Sequence, residues 1–185
     1  MTGFWVLVAV VALLALAVVV SYNRFVRQRN LVQESWRQID VELTRRHDLV
    51  PNLVETVKGY AAHERETLEA VTAARAAAAS VGSGPAAQAV QENALSGALR
   101  QLFAVAEAYP DLKASANFLD LQRQLAETED RIAAGRRFYN GNVRALNTRV
   151  EAFPSSVVAK SFGIAKAEYF TADDPQVRAT PTVSF

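Results

Sequence analysis

The chain has 185 residues, with 20 basic and 19 acidic side chains for a formal net charge of +1, and no cysteine. The balanced charge argues against a general nucleic-acid binder, which would need a basic surface to hold phosphates. The missing cysteine excludes disulfides, thiolate metal sites, lipoprotein acylation and cysteine nucleophiles.

The chain is long enough for one domain of ordinary size plus an anchor. Abundant alanine and few helix breakers favour helices over strands. Residues Phe4 to Val20 read FWVLVAVVALLALAVVV, without a charge. With their flanks they form a segment of about 20 residues, which as a helix spans roughly 30 Å, the hydrocarbon thickness of a bilayer. Trp5 and Tyr22 stand at its two ends, where amphipathic rings prefer the headgroup level. Arg24, Arg27 and Arg29 follow the segment, and no basic side chain precedes it. The positive-inside rule then places the N-terminus outside and the C-terminal domain in the cytoplasm, as a single-pass inner-membrane protein. A cleaved signal peptide is the competing reading, with Ala15-Leu16-Ala17 as its cleavage site. The uncharged start and the length of the run weigh against it.

Beyond the segment, Val32, Trp36, Ile39 and Leu43 recur at helical spacing and predict one helix from about Phe4 to His47. Pro51 interrupts the pattern. Asp48 is expected to cap a second helix, with Pro51 in its first turn. Leu49, Leu53, Val57, Tyr60, Leu68 and Val71 would carry that helix past Gly59 to Ala79. Val81-Gly82-Ser83-Gly84-Pro85 predicts a loop. A third helix follows from about Ala86 to Ala108, with Leu95, Leu99, Leu102 and Val105 on its apolar side, and stops at Tyr109-Pro110.

A fourth helix shows the strongest periodicity. Phe118, Leu121, Leu125, Ile132, Tyr139, Val143, Leu146, Val150 and Phe153 form its stripe. Ser115 or Asn117 is its expected cap and Pro154 its end. So long a helix is not stable alone, and short connections between long amphipathic helices predict antiparallel neighbours. The expected fold is all-α: a transmembrane helix continuing into an antiparallel, coiled-coil-like bundle of about four long helices. Residues 1–23 are the anchor, 24–154 the cytoplasmic bundle, and 155–185 a partly extended tail.

Catalytic chemistry finds little support. No phosphate loop, nucleophile elbow or zinc spacing occurs. The two histidines, His47 and His63, stand beside Asp48 and Glu64, but on different turns and without an i, i+4 partner. They read better as capping or packing groups at a helix junction than as metal ligands. No catalytic residue, cofactor or metal is expected. The run Ala70 to Ala79 has side chains small enough for close helix approach, but plain helix propensity without a partner is the better account.

Four motifs resemble those of LemA proteins. They are RRHDLVPNLVETVKGYAAHE (Arg45 to Glu64), ENALSGALRQLFAVAEAYPDLKA (Glu92 to Ala114), NFLDLQRQLAETEDRIAAGRRFYN (Asn117 to Asn140) and FPSSVVAKSFG (Phe153 to Gly163). The resemblance implies a bacterial membrane protein with one N-terminal span and a helical-bundle domain, without established enzymatic activity. Relatives in magnetic bacteria are associated with forming magnetosome membranes.

The charged side chains within these motifs suggest a buried polar layer of Arg46, Glu64, Glu129 and Arg136, fixing helix register or subunit pairing. Solvated helix faces with i, i+4 pairs are the competing account. The expected function is a membrane-anchored, self-associating scaffold that organises or shapes the cytoplasmic face of the inner membrane, with the lipid bilayer and further copies of the chain as partners. An adaptor for a membrane protease or envelope-stress pathway is the alternative, binding a protein partner through the tail that ends in Val183 and Phe185.

Overall fold

The computed structural model describes residues 1–80, 82 and 84–171. Every regular element among them is a helix: α1 (Thr2–Lys58), α2 (Arg65–Ala79), α3 (Pro85–Ala106), α4 (Pro110–Lys113), α5 (Ala116–Glu151) and α6 (Ser155–Ser161). The chain divides into two compact units, Met1–Gln38 with Gly135–Ala167, and Ile39–Ala134 with Glu168–Phe185.

In the first unit, α1 begins with the apolar segment, whose side chains are exposed from Phe4 to Val20. Burial starts at Phe25 and continues with Val32 and Ser35, spacings of seven and three that keep to one face. Tyr139, Val143 and Leu146 of α5 and Val158 and Ala159 of α6 complete this small core. The rings of Trp36 and Tyr139 pack at 5.5 Å with their planes inclined by 57°, and Gln28 donates to the carbonyl of Asn142 at 3.2 Å. The buried Ser35 hydroxyl is satisfied within α1 by the carbonyls of Leu31 and Val32. Asn147 grips the chain after α6 through both polar atoms. Its Oδ1 accepts from the Ala167 amide at 2.8 Å, and its Nδ2 donates to the Ala167 carbonyl at 3.0 Å.

In the second unit, Val50, Leu53 and Val57 of α1 meet Leu68 and Val71 of α2, Leu95, Leu99 and Leu102 of α3, and Phe118, Leu121 and Leu125 of α5. A fully buried leucine of this kind contributes about 1.5–3 kcal/mol relative to exposure. Leu112 of the short α4 joins the same core, and Phe103 meets the edge of Phe118 at 6.1 Å.

Several boundaries differ from the expected ones. α1 does not break at His47 but runs through Pro51 to Lys58. Proline removes the amide that would have bonded the carbonyl four residues earlier. That carbonyl belongs to His47, and Arg75 Nε of α2 donates to it at 3.1 Å. A tertiary donor replaces the missing backbone one, so the helix continues. The break falls instead after Lys58, and Gly59 lies in a turn rather than inside a helix. Of the expected loop, Val81 and Ser83 lie outside the described residues. Gly84, just before α3, takes a φ of +106°, a conformation open to glycine at little cost. An added Cβ there would stand 3.0 Å from a Glu168 carboxylate oxygen. α3 ends at Ala106, two residues early, and Pro110 starts α4. α5 begins directly after Ser115, while Asn117 donates its side-chain amide to Thr56 Oγ1 at 2.9 Å. α5 ends at Glu151, three residues before the expected stop at Pro154, and α6 follows that proline, at the start of the expected tail. The remainder of that tail, from Ala172, lies outside the described residues.

Candidate functional site

Two places carry chemistry beyond ordinary packing, one in each unit. In the second unit, Arg46 of α1 and Glu92 of α3 are almost wholly buried, at 3% and 4% exposure. Arg46 Nη1 lies 3.4 Å from Glu92 Oε2 and 3.2 Å from Glu129 Oε2 of α5, and Nη2 donates to Ser96 Oγ at 2.6 Å. The other oxygen of Glu92 takes two bonds. His47 Nε2 donates to it at 2.8 Å and Gln88 Nε2 at 2.7 Å. Gln88 Nε2 also donates to the carbonyl of Ala78 on α2 at 3.0 Å. Four helices thus contribute to one ionic cluster.

A buried carboxylate is costly unless charge and hydrogen bonds both compensate it. Glu92 receives both, from one guanidinium, one imidazole and one amide. Its oxygens are occupied by protein donors, which makes the cluster a structural joint between helices. Among the described residues, no three His, Cys, Asp or Glu side chains converge to hold a metal ion.

The side chains expected to form a polar layer fall in different places. Arg46 and Glu129 meet directly, although the Glu129 side chain is half exposed. Glu64 lies in the connection between α1 and α2, where the Tyr109 hydroxyl donates to its carboxylate at 2.8 Å. That bond holds the Tyr109 phenol above its ordinary pKa, because losing the proton would set two negative groups together. Arg136 is half-buried on α5 in the other unit. Glu92, Gln88, Ser96 and His47 are the members that the sequence did not assign. One signal was available. Gln88, Glu92, Leu95 and Leu99 follow spacings of four, three and four, so two polar residues occupy the apolar stripe of α3.

In the first unit the relevant surface is apolar. α1 carries one segment long and apolar enough to cross a membrane, and none of it is buried by the protein. Trp5 and Phe4 form an edge-on pair at 5.6 Å, and Tyr22 packs on Phe162 beyond α6 at 4.9 Å. Arg24, Arg27 and Arg29 are all exposed. Phe153, Val157 and Phe162 are exposed as well, close to the end of α5 and along α6.

These features define an all-helical protein whose single N-terminal apolar helix fits a single-pass membrane protein. The chain belongs to the LemA family, whose model matches residues 35–185. It is 28% identical over 155 residues to Protein LemA of Metamycoplasma hominis, an alignment covering 82% of this chain and 69% of that one. It is also 28% identical over 187 residues to Magnetosome protein MamQ 2 of Paramagnetospirillum magneticum, with 88% and 68% of the two chains covered. Magnetosome protein MamQ of Magnetospirillum gryphiswaldense is 26% identical over 174 residues, with 80% and 64% covered.

Proposed function

We propose that this protein is a non-enzymatic membrane scaffold. It is anchored by the apolar part of α1, with its C-terminal side in the cytoplasm, and associates laterally with copies of itself to organise the membrane surface. The carrying observation is apolar surface left open outside the anchor. Val26 and Leu31 of α1 and Phe138 of α5, all in the first unit, remain exposed. Exposed apolar side chains in a chain confined to a membrane plane favour contact between copies, since confinement raises their effective concentration. Arg24, Arg27 and Arg29 favour the cytoplasmic placement. The similarity to magnetosome proteins agrees with a task at a membrane. In this reading the Arg46–Glu92 cluster with Glu129 sets helix register, so that the associating surface has one form. The adaptor alternative depends on the tail after Thr171, outside the described residues.

The test uses full-length protein reconstituted in liposomes and counted by single-molecule photobleaching. The parent protein is expected as oligomers, and Phe138→Asp should shift the population toward monomers while leaving helicity unchanged. Monomers of the parent protein in both detergent and lipid would overturn the scaffold reading.

A further inference from the structure

Within the first unit a groove of about 800 Å³ lies between α1 and the end of α5 with α6. Leu14, Ala17 and Val18 form one wall, and Phe153, Pro154 and Val157 the other. Arg24 and Arg149 also line it, and no acidic side chain does. In water this surface would be unfavourable, since Phe153 is 85% exposed and Val157 56% exposed.

Depth along α1 settles which solvent this groove meets. Val18 and Leu14 lie four and eight residues before Tyr22. At about 1.5 Å per residue they sit roughly 6 and 12 Å into the apolar segment from that boundary. α5 runs antiparallel to this part of α1, with Asn142 meeting Gln28 and Arg149 meeting Phe25, so the residues after Arg149 advance toward Val18 and Leu14. Phe153 and Val157 therefore flank the apolar segment itself. Arg24 lies on the other side of Tyr22, at headgroup height, and the Arg149 guanidinium rests 6.0 Å above the buried Phe25 ring. The groove is thus mostly apolar, with the hydroxyls of Ser21, Thr148 and Ser155 in its lining, and cationic toward one end.

We propose that the Phe153–Val157 turn dips into the membrane surface beside α1, and that the groove holds one acyl chain of an anionic phospholipid whose phosphate lies at Arg24 and Arg149. This rests on the anchoring of α1 read above. Guanidinium groups bind phosphate oxygens through paired, charge-assisted donors. A turn that presents Phe153 and Val157 around two small serines, beside cationic side chains, has the composition of an interfacial membrane contact. The protein would then meet the bilayer twice, through a span and through a shallow second contact, which restricts its rotation about the span axis.

The cysteine-free chain permits a clean test with single nitroxide labels in phosphatidylglycerol-containing liposomes. Labels are placed by Val157→Cys, by Val11→Cys within the span, and by Arg144→Cys on the exposed side of α5. Residues 11 and 157 are expected to be more accessible to oxygen than to a water-soluble nickel chelate, and residue 144 the reverse. A water-like residue 157 with a lipid-like residue 11 overturns this inference alone; water-like behaviour at both overturns the anchor with it. Native mass spectrometry of full-length protein released from nanodiscs tests the ligand. Retention of one phosphatidylglycerol is expected, falling roughly tenfold when Arg24→Gln and Arg149→Gln remove two charge-assisted contacts. Equal retention of phosphatidylcholine, or unchanged retention in the double variant, overturns the phosphate site.

Discussion

The two units bury their side chains by different means. The second closes an aliphatic core from α1, α2, α3 and α5 and adds a desolvated ionic cluster at Arg46, His47 and Glu92. The first closes a thinner core around Phe25, Tyr139 and Val143 and leaves much of its apolar surface uncovered. A unit that encloses its own apolar groups can stand in water. One that leaves them open keeps apolar side chains available to another phase or another chain, so the enclosed core and the open apolar surface fall on different stretches of the same two long helices.

The largest effect should come from Arg46→Met. It strips the buried Glu92 of its cation, a loss of about 3–5 kcal/mol. Hydrogen exchange in detergent would show whether the damage is local. Amides of residues 39–58 should exchange faster while those of residues 139–147 keep their protection. Equal loss in both segments would mean that the units unfold together, and the contrast between them would fail.

A smaller effect is expected at Arg75. Arg75→Met leaves the His47 carbonyl without its donor, which costs about 1–3 kcal/mol if the group stays buried. Pro51→Ala in that background restores a backbone amide to the same carbonyl and should recover part of the loss in a denaturant titration. A strictly additive double mutant would show that the two changes do not meet at this atom.

The smallest effect belongs to the exposed side of α5. Arg123 and then Gln124 hydrogen-bond Asp120 and hold its carboxyl below the ordinary range. A carboxylate with a lowered folded pKa stabilises above its unfolded value, and the contribution disappears as pH falls through the folded one. Asp120→Asn should therefore melt slightly below the parent protein at neutral pH, with the gap closing on acidification. A gap that widens in acid would mean that folding does not lower the Asp120 pKa.

Periodicity made the long helices legible, because a stripe such as Phe118, Leu121 and Leu125 records burial directly in its spacing. The course of α1 through Pro51 was not legible. Its rescue depends on Arg75, 28 residues away from the carbonyl it serves, and local rules carry no term for such a donor. The ionic cluster was half visible for the same reason. Arg46 and Glu129 stand in charged motifs that attract notice, whereas the pairing of His47 with Glu92 across 45 residues exists only after helices meet. α6 was hidden by Pro154, which reads as a stop signal from one side and is compatible with a helix start on the other.

One carboxamide fixes how the chain leaves α6. Asn147 offers an acceptor and a donor at the separation of a neighbouring strand's peptide, and Ala167 answers with both of its backbone groups. A carboxylate at that position would face the Ala167 carbonyl with a second acceptor. A leucine would offer neither half, and a glutamine would carry the amide one carbon too far. A difference of one atom in this side chain thus decides whether residue 167 is clasped or set loose.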